Sequence, residues 1–252
     1  MFYHKEYVYV YGGMDSNSKA VGEVHRFDLL QNMWERVGCI MPPKYDHTTV
    51  VLGNRAFTFG GISEDNKYSN ELLYLDLRNM EWGRLPSNKF AGSENWPEAR
   101  SRHICVAFEG SLVVHGGSGS EYFHKIHLIN VDRMECHLIN VRGELKQDVK
   151  DHAAAVVGGK LVMCGGKFSG GKYSERPSLN SFDLRAAFTM GRRVGRRKEN
   201  LFYDTGSLSL FSLSSPQPKR LVNNHNMVFS SQKLAINLFG RGTSFFFLFG
   251  LI

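Results

Sequence analysis

Short apolar runs, rich in β-branched residues and broken by glycine, recur along the first three-quarters of the chain. HTTVVL-GN-RAFTF, HICVAF-EG-SLVVH and HAAAVV-GG-KLVMC each place two such runs around a two-residue break. Gly-Asn, Glu-Gly and Gly-Gly between strand-forming runs predict tight hairpins, because such turns need residues that tolerate positive φ. The first run of each pair is built of small and β-branched residues, which suits a strand crowded against its equivalents around an axis. A more polar loop and a second hairpin accompany each unit: EVHRFDLLQNMWERV, ELLYLDLRNMEWGRL and KIHLINVDRMECHLI. The pattern predicts an all-β chain of repeated four-stranded units.

Fixed spacing strengthens that reading. Glycine pairs stand at Gly12-Gly13, Gly60-Gly61, Gly116-Gly117 and Gly165-Gly166, separated by 48, 56 and 49 residues. His47, His103 and His152 each lie 13 residues before the last three pairs. Chance glycines would not carry a histidine along at constant offset. In the second hairpin Asp28 and Asp76 precede Trp34 and Trp82 by six residues, whereas the third unit has Asn130 and Cys136 at those places.

Glycine pair, loop, hydrophobic-Asp, Trp, then His and the next glycine pair resembles the kelch repeat, over about residues 7–185. The resemblance implies a kelch-type β-propeller in which each unit is one four-stranded blade. Four blades are recognisable, and the tryptophans are expected to fill inter-blade gaps, where losing one costs roughly 3–5 kcal/mol. YVYVYGG reads as a second strand, so the first blade is expected to lack its inner strand. Complete propellers of this family commonly have five to seven blades, closed by a strand from the other terminus. The domain reading is therefore blades over residues 1–189 and a basic tail over 190–252. That tail is either a degenerate fifth blade, through His225 and Gly240-Arg241-Gly242, or sequence unrelated to the repeats.

Charge changes the picture only at the tail. The net charge is +7, and from Met190 onward nine Lys/Arg face two acids, leaving residues 1–189 balanced. The repeats therefore have no electrostatic attraction for phosphate, and nucleic acid is not the expected partner. RRVGRRK at Arg192–Lys198 reads as solvated linker, with a nuclear address or an RNA contact as the other readings. Cys39, Cys105, Cys136 and Cys164 form no CxxC pair, which fits a reducing compartment. The N-terminus lacks a secretory pattern, and the terminal FFFLFGLI is far short of the roughly 20 residues that span a bilayer. The expected location is cytoplasmic, with nuclear entry through the basic tail as the variant.

Other chemistry is poorly supported. GKFSGGKY resembles a phosphate loop, but Tyr173 lacks the small hydroxyl such loops place on magnesium, and the segment joins blade strands. His47, His103 and His152 repeat one station, so a structural role outweighs catalysis or metal binding. No cofactor, metal or small-molecule substrate is expected, and no GxSxG nucleophile signature is present.

The function implied by the resemblance is non-catalytic binding of a partner protein or peptide on the loop face. A narrower version makes the chain the substrate-recognition subunit of a cullin-type ubiquitin ligase, although no BTB, BACK or F-box segment is recognisable; a kelch-fold enzyme is the remaining alternative. By the same resemblance, residues just before each histidine face the pocket: Lys44 and Asp46, Arg100 and Arg102, and Asp151. Arg100 and Arg102 are expected to clamp an acidic peptide between two guanidinium groups.

Overall fold

The computed structural model describes residues 1–141, 148–169 and 179–186, with three two-residue strands further on. The blades lie in a compact unit, Met1–Leu210; a second unit, Phe211–Ile252, contains the pair Ala235–Ile236 with Phe247–Leu248. The first three blades are four-stranded antiparallel sheets. Blade 1 comprises Phe2–His4, Tyr7–Tyr11, Glu23–Asp28 and Met33–Ile40; blade 2 comprises Thr48–Leu52, Arg55–Phe59, Leu72–Asp76 and Glu81–Leu85. Blade 3 is Ile104–Phe108, Ser111–His115, Ile126–Asn130 and Glu135–Val141, with Phe202–Tyr203 pairing in parallel on its outer edge. The described part of blade 4 is Ala153–Val157, Lys160–Cys164 and Leu179–Asp183. Most of the residues suggested as a fifth blade lie outside the described residues.

The inner strand expected to be missing from blade 1 is present. Phe2 pairs with Tyr9, Tyr3 with Val8 and His4 with Tyr7, so this strand is three residues long where the other inner strands have five. None of its three residues stands at the station of His47, His103 and His152, which is why the repeat did not reveal it.

The coupling of glycine pair and histidine is steric. A Cβ on Gly12, Gly60 or Gly116 would stand 2.6, 2.7 or 2.5 Å from Cε1 of His47, His103 or His152, the histidine of the next blade. The second glycine of the histidine's own blade faces it from the other side: a Cβ on Gly61, Gly117 or Gly166 would meet the histidine Cβ at 2.7, 2.8 or 2.9 Å. Each ring thus sits in a slot that exists because two glycines have no side chain. Both pair members have positive φ throughout, which reinforces the requirement.

The hydrophobic-Asp station is explained by its carboxylate. Asp28 Oδ1 accepts hydrogen bonds from the backbone N–H of Leu30 and Gln31 at 2.8 and 2.9 Å, and Asp76 Oδ1 accepts from that of Arg78 at 3.0 Å. Asn130 Oδ1 accepts from the Arg133 N–H at 2.8 Å, so the exchange in the third unit retains the turn.

Three apolar clusters join the blades. Tyr9, Tyr11, Val24 and Val37 pack against Ala56, Leu73 and Leu75; Phe57, Phe59 and Leu72 against Leu112, Val114 and Ile129; Ile126, Leu128 and Ile139 against Leu161, Met163 and Phe182. The expected tryptophan wedges are not among them. Trp34 is 58% exposed and Trp82 40%, because both lie on outermost strands, where blades radiating from an axis diverge. The tryptophan that packs between aromatic neighbours is Trp96, against Phe59 and Phe90, with its Nε1 donating to the Asn70 carbonyl at 2.9 Å. No helix among the described residues is long and apolar enough to cross a membrane.

Candidate partner-binding face

Successive blades bring Asp46, Arg102 and Asp151 together at one end of their inner strands. All three occupy the left-handed region, with φ of 53, 56 and 57°. Main-chain hydrogen bonds link them from blade to blade: the Arg102 N–H donates to the Asp46 carbonyl at 3.0 Å, and the Asp151 N–H to the Arg102 carbonyl at 3.1 Å. Side chains follow the same path. Arg102 Nε donates to Asp46 Oδ2 at 2.9 Å, and its Nη1 lies 3.8 Å from Asp151 Oδ2. The hydrogen bond to Asp46 raises the Arg102 pKa further, so this guanidinium is permanently charged. About half of each side chain or somewhat less remains accessible, 34% for Asp46, 45% for Arg102 and 44% for Asp151.

Lys44 and Arg100 do not share this surface. Lys44 is 1% exposed and Arg100 fully buried, so the expected pair of guanidinium groups facing a peptide is not formed. Arg100 donates through Nε to the Glu98 carbonyl at 2.9 Å, through Nη1 to the Gly116 carbonyl at 3.0 Å and through Nη2 to Glu98 Oε2 at 2.6 Å, and stacks on Phe123 with Cζ 4.1 Å from the ring centre. Burial lowers its pKa to about 10, which leaves it charged at neutral pH. Lys44 occupies the corresponding station one blade earlier, its Nζ 3.4 Å from the Gly60 carbonyl and 3.6 Å from Glu71. Burial pulls its pKa down as well. Each cation satisfies the carbonyl of the first glycine in its own blade's pair.

This difference has a measurable consequence. Arg100→Ala is expected to cost about 3 kcal/mol, because the Gly116 carbonyl loses a charged donor in a buried setting and a cavity opens beside Phe123. Arg102→Ala, which removes a solvent-screened pair, is expected to cost under about 1 kcal/mol. Urea unfolding of the two variants checks this; equal midpoints would contradict it.

The histidines go to separate partners. His103 Nε2 lies 2.7 Å from Thr48 Oγ1, His115 Nδ1 lies 3.1 Å from His152 Nε2, His127 Nδ1 lies 2.8 Å from the Asn95 carbonyl, and His124 Nδ1 lies 2.6 Å from Asp148. Among the described residues, no three His, Cys, Asp or Glu side chains are grouped to hold a metal ion. Sequence reasoning missed His115 and His127 as buried groups, and Glu98 as the partner of Arg100. The alternation of Ile126-His127-Leu128 in a strand was a usable signal only once the sheet faces were known.

Comparison with known proteins agrees with the architecture. Residues 1–166 match the KLHDC2/KLHL20/DRC7 Kelch-repeats domain. Acyl-CoA-binding domain-containing protein 4 of Arabidopsis thaliana is 24% identical over 182 residues, 66% of this chain and 26% of that protein. Host cell factor of Drosophila melanogaster is 23% identical over 182 residues, 63% of this chain and 12% of that protein; host cell factor 1 of Homo sapiens is 22% identical over 187 residues, 62% and 9%. The chain thus spans about a quarter or less of the length of these relatives.

Proposed function

Because the chain belongs to the kelch-repeat β-propeller family, we propose that it is a protein-interaction module holding a partner protein or peptide against the face where Asp46, Arg102 and Asp151 meet. The supporting observation is their convergence from three blades onto one path of main-chain hydrogen bonds. Partly exposed, charged side chains on a fixed backbone lose little order on binding, which is the general advantage of a preorganised site. Arg102 supplies the donor fork; Asp46 and Asp151 orient it and leave one unit of negative charge in excess for a polar or basic group on the partner. The narrower role of ubiquitin-ligase substrate receptor would use the same face, with the adaptor supplied elsewhere. Membership in a generally non-catalytic family favours stoichiometric capture over turnover.

The test compares proteins retained from lysate by the immobilised chain and by an Asp46→Asn/Arg102→Glu/Asp151→Asn variant, in which Asn keeps the tolerance of left-handed backbone. The main-chain links do not depend on these side chains, so the variant is expected to fold, as circular dichroism would show. At least a ~10-fold loss of one or more retained proteins is expected, the scale of losing a central interface charge. An identical retained set from a folded variant would remove this face from consideration.

A further inference from the structure

The outermost strand of blade 3 takes up a further neighbour, which those of blades 1 and 2 do not among the described residues. Near its start the Ala91 N–H donates to the Met134 carbonyl and the Cys136 N–H to the Ala91 carbonyl, both at 2.8 Å, so Ala91 pairs in parallel with Glu135. At its far end Phe202 and Tyr203 pair with Asn140 and Val141, again in parallel. Two segments from different parts of the chain therefore meet one edge in one direction. Alternate residues of a strand present their main-chain N–H and C=O to the same side, so those of Leu138 and Asn140 point outward as the Cys136 N–H does.

Edge chemistry separates this strand from its counterparts. Met33–Ile40 of blade 1 carries Glu35 and Arg36, paired with Arg26 and Glu23, and its register shifts beside Val24. Glu81–Leu85 of blade 2 is five residues long and carries Glu81 and Arg84, the latter 2.8 Å from Glu71. Charges, bulges and short length are the features that keep an edge from accepting another strand. Glu135–Val141 is seven residues long, and from Cys136 to Val141 it has no Asp, Glu, Lys or Arg.

We propose that this edge is a strand-accepting site for an extended partner peptide, bound in parallel through main-chain hydrogen bonds, and that Phe202–Tyr203 is its occupant in cis. The cis pairing spans two residues, whereas each pairing between the four strands of blade 3 spans five, and parallel pairing is the weaker kind per residue. A peptide extended along Cys136–Val141 makes more of the same bonds and displaces it. The chemistry that fits is an uncharged strand of aromatic or β-branched residues, the types a pleated edge favours. The site lies on an outermost strand, so it is a second surface and not part of the face where Asp46, Arg102 and Asp151 meet at the inner strands.

The experiment is fluorescence anisotropy of a labelled peptide of residues 199–206, ENLFYDTG, titrated with the purified full chain and with a Phe202→Pro/Tyr203→Pro variant. The prolines remove the N–H donors of the cis segment, and they lie outside the four strands of every blade, so wild-type circular dichroism is expected. The variant is expected to bind the peptide at least ~10-fold more tightly than wild type, because a tethered competitor has left the edge. The same peptide methylated on the backbone nitrogens of its Phe and Tyr keeps its side chains but loses those donors, and is expected to bind at least ~10-fold more weakly. A photoreactive group on the peptide is expected to mark Glu135–Val141. A variant that binds no more tightly than wild type, a methylated peptide that binds equally well, or crosslinks elsewhere would overturn the proposal. So would a wild-type mass of twice 28.5 kDa that halves in the proline variant, since the segment would then pair with a second copy.

Discussion

Gly60→Ala is expected to destabilise the protein by about 3–5 kcal/mol, while Gly53→Ala costs about 1 kcal/mol. Both glycines have positive φ, 67 and 58°, so both substitutions pay for placing an L side chain in the left-handed region. They differ in surroundings. An added Cβ at Gly53 meets nothing within 4 Å, whereas at Gly60 it would lie 2.6 Å from the Arg100 carbonyl oxygen and 2.7 Å from His103 Cε1. The closer obstacle is backbone, held in place by its hydrogen bond from the Gly61 N–H at 2.8 Å. Adding His103→Ala therefore removes the ring but leaves the carbonyl clash, and no full rescue is expected. A loss of this size is a large fraction of a typical domain's stability. Urea midpoints for the three variants decide it; equal values for Gly60→Ala and Gly53→Ala would show that the slot is not filled as described.

Acid is expected to loosen the blades well above the pH at which carboxylates titrate. Burial lowers the pKa of His47 to about 3 and those of His127 and His152 to about 4, and holds His103 and His115 well below the usual imidazole range. An unfolded histidine takes up its proton near pH ~6.5, so below that value the unfolded state binds more protons and stability falls with pH. The contribution is complete above that pH and is lost progressively toward the folded values. At pH 5, each of His47, His127 and His152 removes roughly 2 kcal/mol relative to pH 7, at about 1.4 kcal/mol per pH unit. Asp76 acts in a separate window: its hydrogen bonds from Arg78 hold its carboxyl well below the usual range. Its contribution begins to disappear only near pH ~4. Urea midpoints from pH 7.5 to 5 should fall monotonically, by several kcal/mol in total, and His152→Gln should flatten the slope by its share. A level profile across that range would mean that the folded histidines titrate normally.

The repeated frame was legible because its markers are coupled by contact. A histidine at fixed distance from a glycine pair is the linear trace of a ring lying in a glycine slot, so spacing carried real steric information. Asp28 and Asp76 were legible for a similar reason, since each caps its own turn. Residues whose environment comes from other segments were not. Arg100 precedes a strand in a polar loop and reads as facing the pocket, yet Glu98, the Gly116 carbonyl and Phe123 enclose it. Lys44 is hidden by the same arrangement one blade earlier. The tryptophans misled through radial position, for sequence shows which face of a strand a residue shares but not how far that strand lies from the axis. Phe2–His4 escaped notice because pairing with Tyr7–Tyr11, not a histidine, makes it an inner strand.

One set of hydrogen bonds joining Asp46, Arg102 and Asp151 runs through the main chain and is independent of their side chains. What those three positions require is a tolerance of left-handed backbone, which Asn, Asp and Gly have most readily. The chemical character of the mouth is consequently separable from the architecture that holds it. A duplicated gene can change charge at three codons and acquire a different partner while the propeller beneath stays folded, so closely related chains of this construction can share a scaffold and have no binding partner in common.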